Sequence, residues 1–316
     1  MAYDLTKRLV IGLSSSALFD LDESDGVFRT KGEQVYREYQ RENQDTPLTT
    51  GVAYPFIRRL LKLNELSDDP INNPLVEVIL LSRNDPDTGL RVMNSIEHYN
   101  LSITRAVFLQ GQSAHKYIPA FDIELFLSAN EGDVQQAVED EFPAGQILDG
   151  DIADDIDDTQ LRVAFDFDGV IIDDEAESVY KESNQLGDFH SHESSRVDIV
   201  HNPGPLKNFI DRISHIQKIE NNYKLKDPNY EPVLRVSIVT ARNAPSHKRA
   251  INTMREWGIL ANEAFFMGGV DKSKVLEILK PHIFFDDQKL HLKSASILPS
   301  VHIPFGIANK VVHNED

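Results

Sequence analysis

The chain of 316 residues contains no cysteine. Disulfides and thiolate metal centres are therefore excluded. Any metal must sit on oxygen or imidazole, and hard cations such as Mg²⁺ suit a carboxylate-rich chain. Basic residues are scarce: 32 Lys and Arg against 51 Asp and Glu leave a formal net charge of −19. That balance argues against general binding of nucleic acid or of an anionic membrane, which need basic faces. It does not exclude an anionic substrate, because a site can be locally positive. Long apolar runs are missing as well, and none approaches the ~20 residues that a membrane span needs. The segment KRLVIGLSSSALF (7–19) has the basic start and apolar stretch of a short signal peptide. Three serines break it, and DLDESD follows where a small-residue cleavage site belongs. The expectation is a soluble, cytoplasmic protein.

What is present suffices for a large core. Hydrophobic residues make up 41% of the chain, and its length suggests about two domains. Apolar, β-rich runs alternate with helical patterns. The predicted strands are RLVIGLSS (8–15), VEVILLS (76–82), RAVFLQG (105–111), IELFLSA (123–129), RVAFDFD (162–168), RVSIVTA (235–241), AFFMGG (264–269), HIFFDD (282–287) and SVHIPFG (300–306). Predicted helices between them include YPFIRRLLKLNEL (54–66), LKNFIDRISHIQKI (206–219) and HKRAINTMREWG (247–258). This alternation reads as an α/β fold with mainly parallel sheet. Strands that are apolar throughout imply that both sheet faces are covered. The acidic stretch DGDIADDIDD (149–158) reads as part of a solvated linker over 149–160, between domains 1–148 and 161–316. It does not fit a calcium loop of the EF-hand type, because Asp154 and Gln160 stand where Gly and Glu are required.

The two halves line up. SRNDPDTGLRVMNSIEHYNLSITRAVFLQG (82–111) parallels TARNAPSHKRAINTMREWGILANEAFFMGG (240–269), GVAYPFIRRLLKL (51–63) parallels GPLKNFIDRISHI (204–216), and AFDIELFLSAN (120–130) parallels LKPHIFFDDQ (279–288). The offset stays at about 153–159 residues, which reads as one α/β unit written twice.

In the second half four features follow in order, each where a strand is expected to end: Asp166-x-Asp168, Thr240, Lys272 just after FFMGG, and Asp286-Asp287. Ligands bind beyond the carboxyl ends of strands in an open parallel sheet, so these residues can converge. The chemistry that needs this set is phosphoryl transfer through an aspartyl-phosphate, with Asp166 as covalent nucleophile. Its attack on a phosphate needs the negative charges neutralised. Mg²⁺ held by Asp166, the backbone carbonyl of Asp168 and Asp286 or Asp287 does part of this, and Lys272 adds a positive charge. Thr240 and nearby backbone N–H groups bind the transferring oxygens. Asp168 protonates the leaving alcohol and later activates water, and Gly169 gives the turn its freedom.

DFDGV, Thr240, Lys272 and FFDDQ resemble the four motifs of the haloacid dehalogenase superfamily of phosphatases. More closely, SSSALF, YPFIRRL, NSIEHYNL, LRVAFDFDGVIIDDEAE, GPLKNF, VTARNAPSHKRAINTMREWG and KPHIFFDDQKLH resemble the cytosolic 5′-nucleotidase I family over about residues 8–306. One departure is DFDGV where a DGDAV-type motif is expected. The resemblance implies a Rossmann-like parallel sheet in tandem units. It also implies Mg²⁺-dependent hydrolysis of nucleoside 5′-monophosphates, AMP-like ones above all. Asp166 would then be nucleophile, Asp168 acid and base, Thr240 and Lys272 phosphate holders, and Asp286 and Asp287 the metal region.

The segment ALFDLDESDGVFR (17–29) looks like a first copy of the nucleophile motif, with Asp20-x-Asp22 and with Ser82 at the second position. Its counterpart of FFDDQ is FLSAN, where Ser128 and Ala129 replace both aspartates, and Lys116 aligns with Lys274 rather than Lys272. The first copy is therefore expected to be degenerate, with Asp20 and Asp22 as loop or interface residues. A nucleotide effector there, and self-association of the chain, stay open. Residues about 173–203, including DDEAESVYKESNQLGDFHSHESS (173–195), are expected to form a small cap over the site. Phe189, His190, His192 and Glu193 are candidates to touch the nucleoside, and Ala241, Arg242 and Asn243 lie near the phosphate. His190-x-His192 lacks the i, i+4 spacing of a zinc protease. The competing readings are a phosphatase of another small phosphate ester and a nucleotide sensor without activity.

Overall fold

Largely apolar runs of the sequence become strands, most of them buried on both faces, and short polar segments at their ends carry the turns. In the computed structural model residues 3–150, 152–294 and 298–309 are described. Asp151 of the predicted linker and residues 310–316 of the predicted second domain lie outside them. The chain divides into two compact units, Met1–Asp154 and Asp155–Asp316.

The first unit runs β1 (Leu9–Leu13), α1 (Ser15–Leu18), α2 (Asp22–Glu42), α3 (Tyr54–Lys62), β2 (Val76–Ser82), α4 (Leu90–His98), β3 (Arg105–Phe108), β4 (Leu125–Ser128), α5 (Glu131–Glu139) and β5 (Ala144–Ile147). Its strands order as β3-β2-β1-β4-β5, with every pair parallel. The second unit runs β6 (Leu161–Phe165), α6 (Glu175–Ser183), α7 (Leu186–Ser195), α8 (Lys207–Lys226), β7 (Leu234–Thr240), α9 (His247–Trp257), β8 (Glu263–Phe266), α10 (Ser273–Leu279), β9 (Ile283–Asp286), α11 (Lys289–Ser294) and β10 (Ser300–His302). Its strands order as β8-β7-β6-β9-β10, again all parallel. Both units are thus third-second-first-fourth-fifth sheets of the doubly wound kind. In such a sheet the crevice opens where the strand order reverses, beyond the first and fourth strands. In the second unit those are β6 and β9.

All nine predicted strands are present. Among the elements that the sequence reading did not name are β5 and α2. β5 is the short run AGQI, which has no sustained apolar pattern. α2 is polar along most of its length and is kinked at Gly32, where φ is +83°. In the second unit Phe165 stacks on Phe285 at a centroid distance of 5.2 Å, with Phe209 against both. All three rings are fully buried, and burial of each contributes about 2–3 kcal/mol. This packing fixes β6 against β9, and hence the separation of the acids at their ends.

One expectation is corrected. Asp20-x-Asp22 does not end a strand. β1 stops at Leu13, and Ser14 caps α1 by accepting the Ala17 N–H at 3.1 Å. A serine in this role starts a helical turn as readily as an aspartate. Asp20 lies exposed beyond that turn and accepts the Asp22 N–H at 2.9 Å at the start of α2.

Candidate active site

The site is built from the ends of β6, β7 and β9 and from the residue preceding α10. Asp166 N–H donates to Phe285 O at 2.8 Å, which ties β6 to β9. The Asp166 Oδ1 atom accepts the Phe167 N–H at 2.7 Å. The chain then turns sharply: the N–H groups of Ile171 and Ile172 both reach Phe167 O, at 3.0 and 3.1 Å. Phe167, Val170, Ile171 and Ile172 are fully buried and anchor the turn. Gly169 adopts φ +69°, and a Cβ there would come within 2.7 Å of Asp287 Oδ2. The glycine is therefore needed both for its conformation and for room beside Asp287.

Lys272 is buried, and its Nζ lies 2.8 Å from Asp166 Oδ2 and 2.7 Å from Asp286 Oδ2. Asp286 also accepts the Gln288 N–H at 2.8 Å, and His291 Nδ1 lies 3.1 Å from both of its oxygens. Asp287 is buried with neither oxygen hydrogen-bonded. Electrostatics follows from this crowding. Burial raises Asp166 and outweighs the Lys272 ammonium, and with Asp286 nearby it is pushed up to about 7. Burial, with Asp166 and Asp286 adding to it, pushes Asp287 up to about 10. For Asp286 burial is outweighed by Lys272 and His291, which hold it below its usual value. The two acids facing Lys272 likewise outweigh burial and raise the ammonium, which stays charged.

Three carboxyls face one ammonium here, so the fully ionised cluster has two uncompensated negative charges. That deficit, and the unpartnered buried oxygens of Asp287, fit a divalent cation. Among the described residues, Asp166, Asp286 and His291 bring one ligand atom each within 4.8 Å of one another. A hard cation prefers oxygen, so the fitting donors are Asp166, Asp286 and Asp287. His291 serves better as the group that orients Asp286.

Asp168 points elsewhere. Arg242 Nε and Nη2 grip its two carboxylate oxygens at 2.7 Å each. Only the Asp168 backbone carbonyl is then left for a metal. Thr240 ends β7, is buried, and its Oγ1 accepts the Arg242 N–H at 3.2 Å. A cavity of about 350 Å³ opens on Asp166, Asp168, Thr240, Ala241, Arg242 and Asn243, and α6 and α7 contribute Glu177, Tyr180, Leu186 and Phe189 to its wall. Its size is that of a small-molecule site.

Four expectations for substrate contacts change, since His190 and Glu193 as well as His192 lie outside the cavity wall and Arg242 is already occupied. Arg242 lines the cavity, but its guanidinium is spent on Asp168, Glu193 and Ser246 O rather than held out for a phosphate. His192 lies outside the cavity wall, 3.3 Å from both Glu175 and Glu193. His190 Nε2 donates to Asn243 Oδ1 at 2.8 Å, so the two histidines do not form a metal pair. The sequence reading missed His291, whose signal was its place five residues after Asp286 at the start of a helix. It also missed the role of Glu193, an acid that in an acidic stretch looks solvated and is in fact fully buried.

The first unit repeats several of these strand-end hydrogen bonds without the acids. Ser14 N–H donates to Leu127 O at 2.9 Å, as Asp166 does to Phe285. Ser82 Oγ accepts the Asn84 N–H and Ser128 Oγ the Asn130 N–H, each at 3.1 Å, as Thr240 and Asp286 do in the second unit. Ala114 precedes the short 3-10 turn His115–Tyr117 where Lys272 precedes α10.

Strand-end acids, a buried lysine and a cavity roofed by two helices define a doubly wound α/β protein with a candidate phosphate-handling site. Across residues 1–310 the sequence matches the family described as 5′-nucleotidase, and the chain belongs to that family. It is 34% identical over 298 residues to cytosolic 5′-nucleotidase 1B of Homo sapiens, covering 93% of this chain and 48% of that protein. The chain thus spans about half the length of the curated relative it matches. No solved structure matches it.

Proposed function

We propose that the chain is a Mg²⁺-dependent phosphoric monoester hydrolase that converts nucleoside 5′-monophosphates, AMP-like ones first, to nucleoside and phosphate. The observation that carries this reading is the Lys272 ammonium lodged between Asp166 and Asp286, beside the unpartnered carboxyl of Asp287. Membership of the 5′-nucleotidase family supports the reaction class. The relative is named cytosolic, and we carry that location over as part of the proposal.

Asp166 attacks phosphorus, and an aspartyl-phosphate forms as the bond to the 5′-oxygen breaks. Asp168 gives that oxygen its proton. It then takes a proton from the water that hydrolyses the aspartyl-phosphate, which restores the Asp166 carboxylate and frees phosphate. Lys272 holds the nucleophile in place and, with the Thr240 hydroxyl and the backbone N–H groups after β7, receives the phosphoryl oxygens. Asp166, Asp286, Asp287 and the Asp168 carbonyl would hold Mg²⁺, which when bound neutralises the phosphate charge and polarises its oxygens. Phe189, with Tyr180 and Leu186, offers the nucleoside an apolar wall. We read α6 and α7 as a small cap, and the two units as one ancestral unit written twice, the first without its acids.

The test is phosphate release from AMP, IMP, CMP, UMP, dAMP and a sugar phosphate, with Mg²⁺ and with EDTA. Release from nucleotides that EDTA abolishes supports the reading. Release from the sugar phosphate alone moves the specificity elsewhere, and no release from any of them sinks it.

A further inference from the structure

Arg242 is buried to 1% exposure, and each edge of its guanidinium is used. One edge forks onto Asp168. Nη1 donates to Glu193 Oε2 in a very short contact and to Ser246 O at 3.5 Å. Glu193 lies on α7 with none of its side chain exposed. Its other oxygen accepts from Arg249 Nη1 at 2.8 Å, and His201 Nε2 lies 3.1 Å from Oε2. Thr253 Oγ1 accepts the His201 backbone N–H at 3.2 Å and lies 2.8 Å from Nδ1. His201 Nε2 also lies 3.2 Å from Arg242 Nη2, and His192 Nδ1 lies 3.3 Å from Glu193 Oε1. Two guanidiniums and two imidazoles thus surround the Glu193 carboxylate.

An arginine that must aim both nitrogens at one carboxylate needs its own plane fixed. A buried guanidinium also needs acceptors for the N–H groups that its ion pair leaves over. Glu193 supplies both to Arg242. We propose that Glu193 is a positioning residue, which acts through Arg242 to hold Asp168 in the orientation its proton transfers require. The proposal rests on the reading of Asp168 as general acid and base. It assigns to α7 a role in the chemistry as well as in the cavity wall. A carboxylate displaced by an ångström loses about 100-fold in rate, which is ample for an effect at this remove.

The experiment measures kcat and KM of the full chain on its best nucleotide and on para-nitrophenyl phosphate, whose leaving group needs little protonation. The variants are Glu193→Gln, Asp168→Asn and the double variant. Glu193→Gln is expected to lower kcat/KM on the nucleotide by about 100-fold, with a much smaller loss of kcat/KM on para-nitrophenyl phosphate, because kcat/KM reports the step that forms the aspartyl-phosphate and only the nucleotide's leaving oxygen needs the proton there. In the Asp168→Asn background it is expected to cost nothing further. Equal losses on both substrates, or a full additional loss in the double variant, would overturn the proposal. Should Glu193→Gln fail to fold, Arg242→Lys keeps the cation but loses the fork, and the same split is expected; equal losses overturn it there too. If Asp168→Asn itself slows neither substrate, the acid–base reading of Asp168 has failed, and that outcome is distinct from failure of the brace.

Discussion

Ser14 stands in the first unit where Asp166 stands in the second. Each follows the first strand of its sheet, and each donates its backbone N–H to the fourth strand, to Leu127 O at 2.9 Å and to Phe285 O at 2.8 Å. The strand-end hydrogen bond is the same and the charge is gone. Ser128 stands where Asp286 stands, and Ser15 and Ser82 lie 3.1 Å apart, oxygen to oxygen, so neutral hydroxyls line these strand ends. A carboxylate nucleophile has no place there, and Asp20 and Asp22 lie too far along the chain to stand in for it. Replacing Asp20 and Asp22 together by alanine should therefore leave kcat on a nucleotide within about twofold, the usual scale for exposed substitutions. Asp166→Asn in the same assay should abolish turnover. A loss of about tenfold on the Asp20 and Asp22 variant would put the first unit into the chemistry after all.

Lys272 is a test of how far one ammonium organises the acids. Lys272→Met removes the cation that Asp166 and Asp286 share, leaving two buried carboxylates facing one another. Breaking a buried pair in this way costs about 3–5 kcal/mol, and loss of one electrostatic donor costs about 100- to 1,000-fold in rate. Thermal melting and single-turnover hydrolysis should both register the change. A variant that melts like the wild type would mean that the lysine is not the counter-charge of the acids.

The positions of nine strands were legible because their runs are largely apolar, and VEVILLS became β2 residue for residue. The convergence of Asp166, Lys272 and Asp286 was legible for the same reason: each follows an apolar run in a parallel sheet. The first-unit motif was misread because an aspartate pair after Leu18 and Phe19 imitates a strand end, whereas SSS ends the strand earlier by capping a helical turn. Glu193 was read as a nucleoside contact, and His201 and Arg249 carried no signal, since the meaning of all three lies in burial by helices that pack only in three dimensions. Arg242 was placed near the site by its neighbour Thr240, but a sequence does not say that an arginine's donors are already taken.

Gly169 should be sensitive out of proportion to its size. An alanine at φ +69° costs about 1–2 kcal/mol in backbone strain, and its Cβ would press on Asp287 Oδ2 from 2.7 Å. The displaced carboxylate is one of the proposed cation donors. Gly169→Ala should therefore raise the Mg²⁺ concentration for half-maximal activity by about tenfold or more, the scale on which changes around a ligand act. Its KM for nucleotide at saturating Mg²⁺ should move much less. Mg²⁺ titration of the two proteins decides it, and identical curves would remove Asp287 from the cation site.

Glu193 also sets an acid limit on the stability of the second unit. Burial alone would raise its pKa, but His201 and Arg242 outweigh it and hold the group well below its usual value of 4.5. The folded protein therefore keeps Glu193 ionised at pH values where the unfolded chain has already taken up the proton. Its contribution is complete above about pH 4.5 and is lost as pH falls toward the lower folded value. Glu193→Gln cannot ionise and leaves Arg242 and Arg249 short of a partner, so near neutral pH it should be less stable than wild type by about 3–5 kcal/mol. The gap should hold down to about pH 5 and narrow below about pH 4.5, because only the wild type then has this charge to lose. Other carboxylates titrate in both proteins and cancel in the difference. Urea unfolding of the pair across that range measures it directly. A gap that stays constant into the acid would show that shape, and not charge, is what Glu193 supplies to its two arginines.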